Sequence, residues 1–81
     1  MTIYLPYECF YNMYRIQERY LIDVFQEKED AKKAIADYIE SLDWAFFDPN
    51  KVDMVEEPSG NLFWTDEDNR VIAYLEQRVL K

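Results

Sequence analysis

Three observations predict an α+β fold for this chain: a single small domain over residues 1–81, with one amphipathic helix packed on an antiparallel sheet. A segment at 28–42 repeats its apolar residues at three- and four-residue spacing. Short runs rich in β-branched and aromatic residues lie on both sides of it. Clusters of Pro, Gly, Asn and Asp separate the downstream runs from one another. The expected order is a β-hairpin, the helix, and two to three strands, and the alternative is a mostly α chain.

The hairpin is the least clear element. Between Pro6 and Pro49 there is neither Gly nor Pro, which permits helix throughout. Glu8, Asn12, Arg15, Arg19, Asp23 and Gln26 fall within one arc at helical spacing. Against a helix stands the run Tyr20-Leu21-Ile22-Asp23-Val24-Phe25, whose residues favour strands and which leads directly into the 28–42 segment. The preferred reading is a pair of strands at 10–16 and 19–25 around a Gln17-Glu18 turn. That turn lacks the Asn-Gly or Asp-Gly chemistry of tight two-residue loops.

The helix is the clearest. Ala31, Ala34, Ile35, Tyr38, Ile39 and Leu42 share one face. Glu29 and Lys33 form a favourable i,i+4 pair on the other. Glu27, Glu29 and Asp30 crowd the first turn, where the helix dipole favours anions. No Ser, Thr, Asp or Asn immediately precedes the start, so the N-cap is weak.

Downstream, Asp48-Pro49-Asn50 and Pro58-Ser59-Gly60-Asn61 are turn signals that bracket residues 51–57. There Val52, Met54 and Glu56 alternate with Asp53, Val55 and Glu57, the pattern of an edge strand carrying protective charges. Residues 62–65 read as a strand, 66–69 as a turn with Asn69 able to take a left-handed conformation, and 70–80 as the return strand. The competing reading is a terminal helix capped by Thr65, with Val71, Ile72, Leu75 and Val79 on one face.

Composition narrows the chemistry. The chain has no histidine, one cysteine (Cys9) and one glycine (Gly60). That argues against histidine general-base catalysis, structural zinc, and any glycine-rich phosphate or dinucleotide loop. An inert core thiol is the expected role of Cys9, since no imidazole exists to activate it. Paired carboxylates need a deep cleft to act as acid and base, which a domain this small does not readily build. Asp66-Glu67-Asp68-Asn69 fails as a calcium loop, because Arg70, Val71 and Gln77 fall where an oxygen ligand, Gly and Glu are required. No catalytic, cofactor or metal site is therefore expected. With a lone thiol, no signal peptide and no long apolar run, the expected location is cytoplasmic, away from membranes.

Charge and aromatics carry the functional signal. The net charge is −8, and residues 37–68 hold ten carboxylates against the single cation Lys51. Such a field repels nucleic acid and attracts basic surfaces. Seven Tyr, five Phe and two Trp exceed what a core of this size can enclose, so several are expected on a surface or in an interface. Asp37, Glu40 and Asp43 sit in the last turns of the helix, where acids oppose the dipole and stability gives no reason for them.

Two functions of different class follow. The first is an acidic protein-binding module: an inhibitor that occupies the basic, nucleic-acid-binding groove of a partner such as a nucleic-acid-processing enzyme, acting as a DNA mimic. Its candidate partner-binding residues are Asp37, Glu40, Asp43, Trp44, Asp48, Asp53, Glu56, Glu57, Trp64, Asp66, Glu67 and Asp68. Small acidic inhibitors of restriction, CRISPR or DNA-repair enzymes, encoded by phage and other mobile elements, are similar in type; no motif ties this chain to a particular family. The second is a non-catalytic adaptor or homo-oligomer, a homodimer being the simplest, that uses an aromatic N-terminal surface of Tyr4, Tyr7, Phe10, Tyr11 and Tyr14. Neither reading involves direct nucleic-acid binding, since no basic track accompanies the aromatics.

Overall fold

The structure is a computed structural model that describes residues 1–11, 17–42 and 47–80, the side chain of Tyr11 excepted. Its elements in chain order are β1 (Thr2–Tyr11), β2 (Gln17–Leu21), α1 (Lys28–Ser41), a 3-10 turn (Pro49–Lys51), β3 (Asp53–Glu56), β4 (Leu62–Thr65) and β5 (Val71–Val79). The strands form one antiparallel sheet in the order β2-β1-β5-β4-β3. The α+β expectation stands, and the mostly α alternative does not.

The upstream strands depart from the sequence reading. Gln17 and Glu18, expected to form the hairpin turn, belong to β2, where they pair with Tyr11 and Phe10. The connection itself falls at 12–16, outside the described residues. The first strand also starts far earlier than residue 10 and runs through Pro6. Proline is tolerated because its missing N–H points toward the β2 side at a level where β2 has already ended. Pro6 still accepts there from the Ile22 amide (2.8 Å), and Tyr4 exchanges two backbone bonds with Phe25 (2.8 and 3.0 Å). Residues 22–25 are thus a guide rail along β1, with only Phe25 bridged to Tyr4.

Helix α1 connects one edge of the sheet to the other, so it must cross a face. Ala31, Ile35, Tyr38 and Ile39 are buried on it and pack with Leu62, Trp64, Ile72, Ala73 and Leu75. Pairing explains why those sheet residues share a face: Leu62 lies opposite Leu75, and Trp64 opposite Ala73. A register shift at Trp64/Thr65 adds one residue to β5. Such a bulge explains how the consecutive residues Ile72 and Ala73 are both buried in the core. Tyr4, Phe10, Phe25 and Val52 close the periphery of this cluster.

The downstream strands fall where expected within narrower bounds: β3 takes 53–56 of the expected 51–57, because Lys51 belongs to the 3-10 turn, and β5 takes 71–79 of the expected 70–80. Strand β4 spans 62–65 as predicted, and β3 is an exposed edge strand. Asn69 takes φ 60° in the β4–β5 turn, while Gly60 takes φ 92° in the β3–β4 turn, a conformation that suits glycine.

Two features of α1 yield stability predictions. Glu27 occupies the N-cap in extended conformation without a side-chain cap bond. Glu27→Ser supplies a short acceptor and should raise stability by about 0.5–1 kcal/mol in urea unfolding. The Tyr38 hydroxyl is buried and has no hydrogen-bond partner. Burial, with the Glu8 and Cys9 charges adding to it, pushes its pKa far above the ordinary tyrosine value. The folded hydroxyl stays neutral while the unfolded one ionises near pH ~10, so its contribution is present below that pH and lost as pH rises above it. Tyr38→Phe should be neutral to stabilising by about 1 kcal/mol at pH 7 and should reduce the loss of stability above pH ~10.

Candidate acidic interface

Strand direction decides where the acids go. The N-terminal Lys28 of α1 lies 3.9 Å from Glu56 at the end of β3, whereas Tyr38 meets Phe10 edge-on near the end of β1. The helix therefore carries its C-terminal turns to the end of the sheet where β3 begins and β4 passes into β5. Asp37 and Glu40 are exposed there, and the last turn holds no basic residue. Glu40 shares a shallow depression of about 240 Å³ with Ala36, Ile39, Pro49, Val52 and Trp64. Asp53 begins β3 at the same level, paired in register with Thr65.

The β4–β5 turn completes this end. Asp66 is buried, and its carboxylate organises the loop. Oδ1 accepts from the amides of Asp68 (2.9 Å) and Arg70 (3.0 Å), and Oδ2 accepts from Arg70 Nε (3.0 Å). Asn69 N–H closes the turn on the Asp66 carbonyl (3.1 Å). Around it, Asp68 pairs with Arg70 Nη2 (3.3 Å), and Glu67 pairs with Lys51 (3.3 Å), which ties the 3-10 turn to the loop. Asp48 caps that turn by accepting from the Asn50 amide (2.9 Å).

The twelve expected partner-binding residues thus separate by role. Asp37, Glu40, Asp53, Glu67 and Asp68 are exposed around one end of the molecule. Trp64 is in the core, half of a sheet-to-helix contact, and Asp66 faces inward; neither presents its side chain to a partner in this conformation. Asp48 is half-buried at its cap. Glu56 and Glu57 lie at the opposite end of β3, with Glu56 paired to Lys28. Asp43 and Trp44 lie outside the described residues. The acids so placed do not make one continuous surface: the end-group is set apart from the 56–57 pair by the length of β3.

The aromatic N-terminal surface separates as well. Tyr4 and Phe10 pack on the helix side, while Tyr7 is on the other face, beside Tyr74 at 6.4 Å between rings. Tyr14 and the side chain of Tyr11 lie outside the described residues. Tyr7 instead joins residues that sequence reasoning did not group with it. In register across all five strands run Leu21, Tyr7, Tyr74, Phe63 and Val55. Period-two alternation around Tyr7 and Phe63 hints at this face, but only the register brings the row together.

Burial raises the pKa of the Cys9 thiol, with Arg19 opposite it drawing it partly back, so the reactive thiolate is disfavoured. No group of His, Cys, Asp or Glu among the described residues is arranged to hold a metal ion. The depression beside Glu40 is smaller than the roughly 300–1,000 Å³ of small-molecule sites. No helix among the described residues is long and apolar enough to cross a membrane. No known protein family, curated protein or solved structure matches the chain.

The buried carboxylate gives a sharp contrast between neighbours. Asp66→Ala removes three charge-assisted bonds and should cost about 2–4 kcal/mol in urea unfolding. Asp68→Ala, which breaks only an exposed pair, should stay within about 0.5 kcal/mol.

Proposed function

We propose that this protein is a non-catalytic, acidic protein-binding module whose carboxylate-rich end engages the basic, nucleic-acid-binding groove of a partner protein and blocks it. The observation that supports this reading is the exposure of Asp37, Glu40 and Asp53 at one end with no ion-pair partner among the described residues. Glu67 and Asp68 stand beside them, and among the described residues Lys51 and Arg70 pair with these two. Two of the three unpaired acids oppose the dipole at the helix C-terminus, so they are not there for stability. A rigid scaffold holding such a field steers a basic partner and satisfies its cations as phosphates do. Cytoplasmic residence and an anti-defence role in phage or another mobile element fit this activity.

The test is capture of partners from a host lysate on the immobilised protein, eluted in salt steps with duplex DNA as competitor. The same is done with the variant Asp37→Asn/Glu40→Gln/Asp53→Asn. A nucleic-acid enzyme should be released early, be displaced by DNA, and bind the variant at least ~10-fold more weakly. Equal retention by the variant, or retention through high salt, overturns the acidic-end reading.

A further inference from the structure

Helix α1 lies chiefly against β1 and β5, so the sheet runs on beyond it toward β3. The gap between the helix and β3 holds the depression beside Glu40, about 240 Å³ in volume. Ala36, Ile39 and Glu40 line it from the helix, Pro49 and Val52 from the opposite side, and Trp64 from the sheet. Ile39 and Trp64 are buried beneath it. Met54 is paired with Trp64 and so shares its face of the sheet; at 50% exposure it extends the apolar wall along β3. The other end of the gap is bridged, where Lys28 on α1 meets Glu56 on β3 at 3.9 Å.

Charge names the occupant. Glu40 is exposed, and neither it nor Asp37, three residues back, has an ion-pair partner among the described residues. The cations beside the depression are engaged elsewhere: Lys32, one turn before Ala36, holds Glu29 at 3.7 Å, and Lys51, next to Val52, holds Glu67 at 3.3 Å. The helix C-terminus adds partial negative charge, and its last turn carries no base to offset it. Apolar walls with an anionic rim are complementary to a side chain that has an aliphatic stem and a cationic head. Of the two such side chains, Arg is the more weakly hydrated and suits a shallow, half-dry site better than Lys. We infer that the depression takes one arginine side chain of the partner protein, its stem along Ile39, Val52 and Trp64 and its guanidinium at Glu40.

This inference rests on the acidic-end reading and sharpens it. The carboxylates around the end supply a field that draws a basic surface in, and the depression supplies the point at which one of its cations docks. The size agrees, since a space below that of small-molecule sites still admits a single long side chain. One side chain in a shallow site binds weakly, so an isolated arginine has a Kd of about 1–10 mM.

The experiment is proton–nitrogen correlation NMR on the full chain, titrated with N-acetyl-L-arginine amide. N-acetyl-L-citrulline amide, of the same shape without the charge, is the control. Saturable shifts should appear at the amides of Ala36, Glu40 and Val52 and at the Trp64 indole N–H, with the citrulline compound at least ~3-fold weaker. Glu40→Gln should weaken arginine binding at least ~3-fold. Ala36→Leu fills the depression, keeps every carboxylate and retains a strong helix former, so it should abolish the saturable response while far-UV circular dichroism is unchanged. Absence of saturation, equal binding of the citrulline compound, or wild-type binding by Ala36→Leu overturns the inference. In the lysate capture, Ala36→Leu should hold the partner at least ~10-fold more weakly although its charge is that of the wild type. Full retention by Ala36→Leu, with loss by Asp37→Asn/Glu40→Gln/Asp53→Asn, overturns the docking point and leaves the acidic end standing. Retention by both variants overturns the two together.

Discussion

A single helix can cover only one face of a five-stranded sheet, and most of this molecule follows from that limit. Helix α1 leaves the β2 edge and must reach β3 at the other, so it lies across the face where Leu62, Trp64, Ala73 and Leu75 converge. The apolar side chains of that face and of the helix bury one another. On the reverse side, no described helix or strand lies over the sheet. There large rings do the work of a missing layer, as Arg19 lies over Tyr74, and Asn61 braces the Tyr74 hydroxyl by donating to it at 2.8 Å. The same Asn61 accepts from the Gln77 amide at 2.8 Å, which ties the β3–β4 turn to the central strand.

The division of faces also sorts the charge. Acids are few in the layer between helix and sheet, where Glu8 stands opposite Ala73 and near Tyr38, and they are sparse on the aromatic reverse. They gather instead on the outer side of α1 and in the turns, where water solvates them. Two carboxylates do structural work within those turns: Asp48 by capping and Asp66 by binding backbone amides from the inside of its loop. An acid-rich segment in sequence is therefore a mixture in space, of anchoring groups that face inward and field-making groups that face out.

Which parts were legible beforehand follows from range. The helix announced itself through spacing alone, since Ala31, Ile35, Tyr38 and Ile39 repeat at the period that buries one face. Strand β4 and its turn to β5 were equally local, set by Leu62-Phe63-Trp64-Thr65 and by Asn69 in its left-handed conformation. The long first strand was not legible, because Pro6 reads as an interruption unless one knows that β2 has ended beside it. Trp64 and Asp66 illustrate the limit for sites. Their types suggest an interface anchor and a surface charge, but burial of the first and amide bonds to the second depend on partners distant or hidden in the backbone. The aromatic row was illegible for the same reason, as its five members come from five strands.

The place of β1 in the sheet has a kinetic consequence. Its inner neighbour is β5, with Thr2 paired to Val79 and Tyr7 to Tyr74, so the two strands that meet at the centre lie far apart along the chain. Local hairpins can form early, β1 with β2 and β3 with β4, but neither closes the sheet. At about 5–20 residues per second, β1 waits on the order of several seconds with one backbone edge bare before its mate leaves the ribosome. Pairings this remote also slow refolding in the test tube. During that wait, Leu5 and Tyr7 stand beside an open ladder, a nascent state that other chains can join.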